Sequence, residues 1–321
     1  MLGLILAGLL IAAPETGEPP QTTPAPESEP AIRLEDVAVT GRPLSSLIER
    51  FVGEVAAPNP DRGLARWRSG VCVGVANLRN EAAQYLVDRV STVAADLGLR
   101  AGHPGCSPNL LIIAADEPDR VSEELVTRHR GALRMGGSGM DRGGTALRAF
   151  QTSDRPVRWW QVSMPVDNQT GERATRISGE CDRDCGAASV GGSSYRFAPN
   201  INIFAASRLS TQIVDDIFRT IVVVDVNQLS RVNIEQLADY IAMVSLAQID
   251  PAADTSRYAS ILNVFADPEG AEGLTDWDKA YLTGLYDTNR TRLDRRASRL
   301  EIASSIERAH KELRGASPGE D

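Results

Sequence analysis

Apolar residues crowd the stretch 232–249 so densely that a helix buried on nearly every side is the element that fits it. Ile234, Leu237, Ala238, Ile241, Ala242 and Val244 recur at helical spacing, and from Leu237 onward little but Asp239, Tyr240, Ser245 and Gln248 interrupts them. Weaker patterns flank it. Residues 43–55 predict an amphipathic helix that ends at a turn-rich break over 58–63, and 70–76 predict a buried strand. Asn80 is expected to cap a helix reaching Leu97, with Tyr85, Leu86, Val90, Val93 and Leu97 along one face and Gly98 at its end. Residues 109–115 read as a second strand, and a strand, helix, strand order of this length implies a right-handed crossover with parallel pairing.

Further along, 119–130 predict a polar surface helix, 157–166 a strand, 200–204 a short strand and 220–226 a β-branched buried strand. Ser210 is expected to cap a helix running to Phe218. A tight turn at Ser260, Ile261 and Leu262 precedes a helix over 274–286, where Thr275 and Asp278 form an approximate capping box. The charged stretch 292–313 places Leu293, Leu300, Ile306 and Leu313 near heptad spacing. It reads as a solvated terminal helix or as a partner-binding one, through which copies of the chain could associate.

The two ends change the picture. Residues 2–13 are an apolar run too short to span a bilayer core of about 30 Å and suited to a signal peptide cleaved near Ala12 or Ala13. No basic segment precedes the run, so a retained short anchor is the alternative. Residues 14–30 hold six prolines and four glutamates without a large apolar side chain, which predicts an extended linker. The resulting division is a signal peptide over 1–13, a linker over 14–31, an α/β domain over 32–290 and a charged terminal helix and tail over 291–321. A net charge of −9 argues against nucleic acid as a partner. Behind an export signal the four cysteines favour disulfides, with Cys72 paired to Cys106 beside neighbouring strands and Cys181 paired to Cys185 as a small loop staple. A metal site at Cys181 and Cys185 is the rival, weakened by the lack of a second cysteine cluster.

Candidate chemistry is sparse. The glycine-rich stretch 136–144 lacks the Lys-Ser/Thr ending of a phosphate loop and no helical pattern follows it, so it reads as a flexible loop. Trp159 and Trp160 must face opposite sides of their strand, so one is core and the other sits against a loop or a ligand; the plainer alternative is that protein covers both. Asp215, Asp216, Asp225 and Asp239 bracket the best structured part. Asp225 and Asp239 are candidates for a carboxylate acid and base pair; the plainer reading makes 215 and 216 helix-surface charges and the other two hydrogen-bond acceptors. No nucleophile elbow accompanies the three histidines, His103, His129 and His310.

The buried helix, the turn at 260–262 and the helix at 274–286 resemble, in order, the heart of the metzincin zinc proteases. Laid on the family's His-Glu-x-x-His-x-x-Gly-x-x-His/Asp pattern, this sequence has Ala238, Ala242 and Gln248 at the ligand positions, Asp239 for the general-base Glu and Ser245 for the Gly. Leu262 stands where the family's turn carries Met, and Leu274, Thr275, Asp278, Leu285 and Tyr286 echo the closing helix of matrix-type members. Zinc requires three or four N, S or O donors at about 2.0–2.3 Å, and alanine supplies none. The early strand-helix-strand unit, the Cys106-Ser107-Pro108-Asn109 strand start and the Leu274 to Tyr286 helix also resemble an uncharacterised domain family of exported proteobacterial proteins.

The resemblance implies a metzincin-like mixed sheet with a long helix after the first strand, a buried pseudo-active-site helix and a C-terminal helical subdomain. The expected protein is a non-catalytic binding or structural module of the periplasm or cell envelope, without cofactor or metal. Its partner would be a protein or an envelope polymer, met through Trp159, Trp160, Asp239 and Tyr240, with no membrane span in the mature chain. A secreted hydrolase using Asp239 and Asp225 is the alternative.

Overall fold

The computed structural model describes residues 44–59, 62–68, 70–133, 140–174, 210–292 and 294–316. The expectations for the export segment and linker, for 200–204 and for Cys181 and Cys185 lie outside these residues. Within them the chain is a mixed α/β structure. A four-stranded sheet is covered by helices on both faces, and no described helix is long and apolar enough to cross a membrane.

The chain runs from helix α1 (Leu44–Val55) to a short strand β1 (Gly70–Val71) and then β2 (Val73–Ala76). Helix α2 (Asn80–Asp96), β3 (Arg100–Ala101) and β4 (Leu110–Ala115) follow. Helices α3 (Pro118–Leu133) and α4 (Gly143–Thr152) lead to two long strands, β5 (Val157–Asp167) and β6 (Ile213–Asp225). Three helices close the fold: α5 (Ile234–Leu246), α6 (Asp276–Asp287) and α7 (Arg295–Ala316). The sheet order is β2-β4-β6-β5, with β2, β4 and β6 parallel and β5 antiparallel on the edge beside β6. The parallel pairing expected of the first two sheet strands is therefore present.

Alternation along the strands divides two cores. Leu110, Ile112, Val157, Trp159, Val222 and Val224 face the larger one, built with α1, α2, α5, α6 and α7. Ile113, Ala115, Trp160, Val162, Ile221 and Val223 face the smaller one under α3 and α4. Because both faces are covered, both tryptophans are core. Trp159 donates to the Ile249 carbonyl at 3.3 Å and Trp160 to the Leu133 carbonyl at 2.6 Å, so neither indole is left for a loop or ligand.

Several elements differ from expectation. The strand expected over 70–76 divides at Cys72, whose N–H donates to Asn109 Oδ1 at 2.7 Å, and β2 is half-buried. Cys72 is disulfide-bonded to Cys106, as expected, with Cα atoms 6.1 Å apart. Asn80 is the first residue of α2 rather than its cap; Arg79 takes that place without a side-chain bond, and Tyr85 is exposed. A helix, α4, does follow the glycine-rich stretch, because Leu147 and Phe150 bury three residues apart in the smaller core.

The largest correction concerns the stretch from Ser210 to Phe218. It is not a helix: Ile213–Asp225 is one strand, paired with β5 from Ile213 to Val224 with a single break at Phe218. Asp215 and Asp216 are accordingly buried strand residues and not helix-surface charges.

The terminal helix is docked. Ile302, Ala303, Ile306 and Ala309 are buried and Leu300 is 40% exposed, so Ile306 and the partly buried Leu313 of the heptad series lie on the docked face and Leu300 does not. That face rests on α1 and α6. Gly284 of α6 permits the approach: a Cβ there would meet Ile306 N at 2.5 Å and Ile306 Cα at 2.6 Å. Alanine gains about 1 kcal/mol over glycine in a helix interior, whereas overpacking costs about 1–3 kcal/mol. Because the clash is with backbone, Gly284→Ala is expected to lower the melting temperature. A rise would show that α7 leaves this seat in solution.

Candidate functional site

Helix α5 begins at a capping box: Asn233 Oδ1 accepts from Gln236 N at 2.8 Å, and Gln236 Oε1 accepts from Asn233 N at 3.1 Å. Every residue from Gln236 to Ile249 is buried. A helix so enclosed cannot give its last carbonyls to water, and three side chains take them. Gln161 Nε2 donates to the Val244 carbonyl at 3.1 Å and the Ala247 carbonyl at 3.0 Å. Trp67 Nε1 donates to the Ser245 carbonyl at 2.9 Å, and the Tyr286 hydroxyl to the Leu246 carbonyl at 2.8 Å.

The three positions aligned with zinc ligands sit inside this packing. Ala238 and Ala242 are fully buried, and Gln248 Oε1 accepts from Ala65 N–H at 2.7 Å while its carbonyl accepts from Ala57 N–H at 2.9 Å. Two methyl groups and one committed amide do not fit zinc. Among the described residues no three His, Cys, Asp or Glu side chains gather as a metal set. The segment just after α1 thus lies against the C-terminal end of α5.

Asp239 is held on both oxygens. Arg89 of α2 donates Nε to Oδ1 at 2.5 Å and Nη2 to Oδ2 at 2.9 Å, and Leu274 N–H donates to Oδ2 at 2.7 Å. Tyr240 packs edge-on against Phe265 and Trp159, with ring centroids 4.9 and 6.2 Å away, and burial raises its phenol above the ordinary value. Asp225 belongs elsewhere, at the end of β6. It caps a 3-10 turn by accepting from Asn227 N–H at 2.9 Å, and Gln228 Nε2 donates to its other oxygen at 2.9 Å. The structure thus brings Trp159 and Tyr240 together and puts Asp225 and Asp239 into separate networks.

A second centre joins Asp215 and Asp216 to arginines that no sequence motif singles out. Arg62 forks onto Asp215, with Nε 2.9 Å from Oδ1. Asp216 accepts from Arg68 Nε at 2.9 Å and from Arg290 Nη1 at 2.6 Å, and Arg290 Nη1 also donates to the Asp215 carbonyl at 2.9 Å. Arg66 donates to the carbonyls of Leu285 and Tyr286 and lies over the Tyr286 ring, 5.7 Å from its centroid.

Burial lifts the Asp215 carboxyl above its ordinary value, against the pull of Arg62 and Arg290. Burial, and then repulsion from Arg290, lower the Arg66 guanidinium to about 10, opposed by Tyr286, Asp216 and Asp287. Cavities of about 310, 470 and 320 Å3 adjoin this centre. Its one signal in the sequence is the closely spaced Arg62, Arg66 and Arg68 in a chain with only two lysines, and pairing them with Asp215 and Asp216 needed the strand.

No family model, curated protein or solved structure matches the chain. Function is therefore to be read from the side chains of the site.

The Asp239 network makes a graded expectation. Asp239→Asn keeps an acceptor for Leu274 N–H and should cost about 1 kcal/mol, whereas Asp239→Leu leaves that N–H and Arg89 without a partner and should cost about 3 kcal/mol. Arg89, with its side chain 37% exposed, can regain water, which limits the larger figure. Urea melts of both variants measure the order; equal losses would remove Asp239 from the structural role given to it here.

Proposed function

We propose that this protein is a non-catalytic module of the cell envelope, built on a metzincin-like core that has lost its zinc site, and that it binds a partner or holds structure. The observation that carries this reading is Gln248, whose side chain stands at the third ligand position and is spent on the Ala65 N–H inside a buried contact. Asp239, at the general-base position, is likewise spent on Arg89 and Leu274.

The order of elements supports the metzincin-like part. A long helix, α2, follows the first sheet strand, and β5 is an antiparallel edge strand. The buried α5 follows the last strand, and Ser260 starts a tight turn whose hydroxyl donates to Asp278 Oδ1 at 2.5 Å. Asp278 also closes the capping box of α6 with Thr275, so the turn and the closing helix share one buried carboxylate. The Cys72 to Cys106 disulfide supports an oxidising compartment.

Elemental analysis after metal-replete expression tests the reading. The expected outcome is no stoichiometric zinc, with no turnover of peptide or glycan substrates. One tightly held zinc per chain, or a wild-type turnover that disappears in a stably folded Asp239→Asn protein, would return the chain to the enzymes.

A further inference from the structure

We propose that the cavity between the Arg66 to Arg68 segment and the end of α6 is a binding site for a small oxyanion, a phosphate or carboxylate group. The inference rests on the reading of this chain as a binding module and names the chemistry of its ligand.

The cavity, of about 320 Å3, is lined by Arg66, Arg68 and Arg290 together with Asn168, Thr288 and Asn289, and its lining holds no carboxylate. Of the three guanidiniums, Arg68 and Arg290 share one carboxylate, Asp216, and Arg66 donates only to backbone carbonyls. Asp287 and Asp215 also act on Arg66 and Arg290, and Arg62 forks onto Asp215, so the four guanidiniums meet three carboxylates, none of which lines the cavity. Arg68 is 30% exposed and Arg290 11%, so water meets these groups in the free protein and a bound anion would take its place.

The donors are also in surplus. A guanidinium carries five N–H groups over three nitrogens in a rigid fork. Arg66 and Arg290 each use only Nη1, and Arg68 uses Nε and Nη2. Nε and Nη2 of Arg66 and of Arg290, and Nη1 of Arg68, have no partner among the described residues. The fork geometry suits the oxygen pairs of phosphate and carboxylate, and the volume admits a small molecule bearing such a group. Each arginine is held by the bonds it already makes, Arg66 on the last turn of α6, and Arg68 and Arg290 on the buried Asp216.

The test is titration calorimetry of the full chain with inorganic phosphate and, separately, succinate, at constant ionic strength against chloride. Saturable heat with phosphate alone, with succinate alone, or with both supports the site and tells the source of the oxyanion. Absence of saturable heat with both overturns it.

The variant is Asn289→Asp. Asn289 Oδ1 accepts from Thr291 N at 3.0 Å and Thr291 Oγ1 at 2.8 Å, and an aspartate keeps both bonds while adding a negative charge to the lining. Its melting temperature without ligand should match wild type, and its affinity for the anion should fall at least tenfold. Unchanged affinity in this variant overturns the site. Arg66→Lys, which keeps the charge and loses the fork, is expected to bind several-fold more weakly, and serves if the first variant does not fold. Zinc analysis bears on the pseudo-protease reading alone, so a zinc-bearing chain that binds phosphate would lose that reading and keep this site.

Discussion

Enclosing α5 creates a debt of hydrogen bonds that the rest of the fold is arranged to settle. The last carbonyls of a helix have no partner within it, and a buried carbonyl left unpaired costs about 1–3 kcal/mol. Here the donors come from three distant parts of the chain: Trp67 from the segment before β1, Gln161 from the edge strand β5 and Tyr286 from α6. Each bond fixes the place of the element that donates it. The sheet, the early segment and the C-terminal helices therefore meet at one helix end, and that meeting leaves the packing against α5 closed at Gln248.

The same arrangement explains why acidic residues lie inside. With Trp67 on α5, Arg68 beside it reaches Asp216 of β6, and Arg62, earlier on the same segment, reaches Asp215. Buried ion pairs of this kind add little net stability, because desolvation offsets their attraction, but removing one partner is expensive. They act here as a register device. Val162 pairs with Arg219 and Ser163 with Ile217, so the ladder skips Phe218, which is 39% exposed. A strand slipped by one residue would turn the buried carboxylates away from their arginines.

Legibility in the sequence followed how local the cause was. Helix α5, the β4 and β5 strands, the Thr275 to Asp278 box and the disulfide could be read because each is set by neighbours in sequence or by a simple strand adjacency. The stretch from Ser210 to Phe218 could not. Its two aspartates suggest a polar helix face, and only arginines more than seventy residues away along the chain make them tolerable in a strand. Leu300 misled in the same manner although Ile306 of its series is buried, since the docked face of α7 is chosen by the contours of α1 and α6 and by Gly284, which no heptad count registers. Of the candidate site, the lack of zinc donors at Ala238, Ala242 and Gln248 was plain in the residue types, while the arginine cluster required the fold.

The cysteine corner shows why a motif with apparent signature value can carry no chemistry. Asn109 Oδ1 accepts from Cys72 N–H at 2.7 Å, Asn109 Nδ2 donates to the Gly70 carbonyl at 3.1 Å, and the Cys72 carbonyl accepts from both Asn109 and Leu110 N–H groups. One asparagine thus replaces the ladder bonds that the chain gives up where β1 and β2 part. Pro108 lies against Gly74, where a Cβ would come within 2.7 Å of its ring, and a Cβ on Gly102 would strike the Cys106 sulfur at 2.4 Å. The disulfide, the proline and the two glycines interlock, and closing a loop of 34 residues adds about 4 kcal/mol in the chain-entropy picture. The Asn109 side chain, both sulfurs and the Cys72 backbone are all used within the corner, so these residues are demanded by the fold of the first two sheet strands. Function must be sought where side chains keep unspent donors, at the arginines that frame Trp67 and at Arg290.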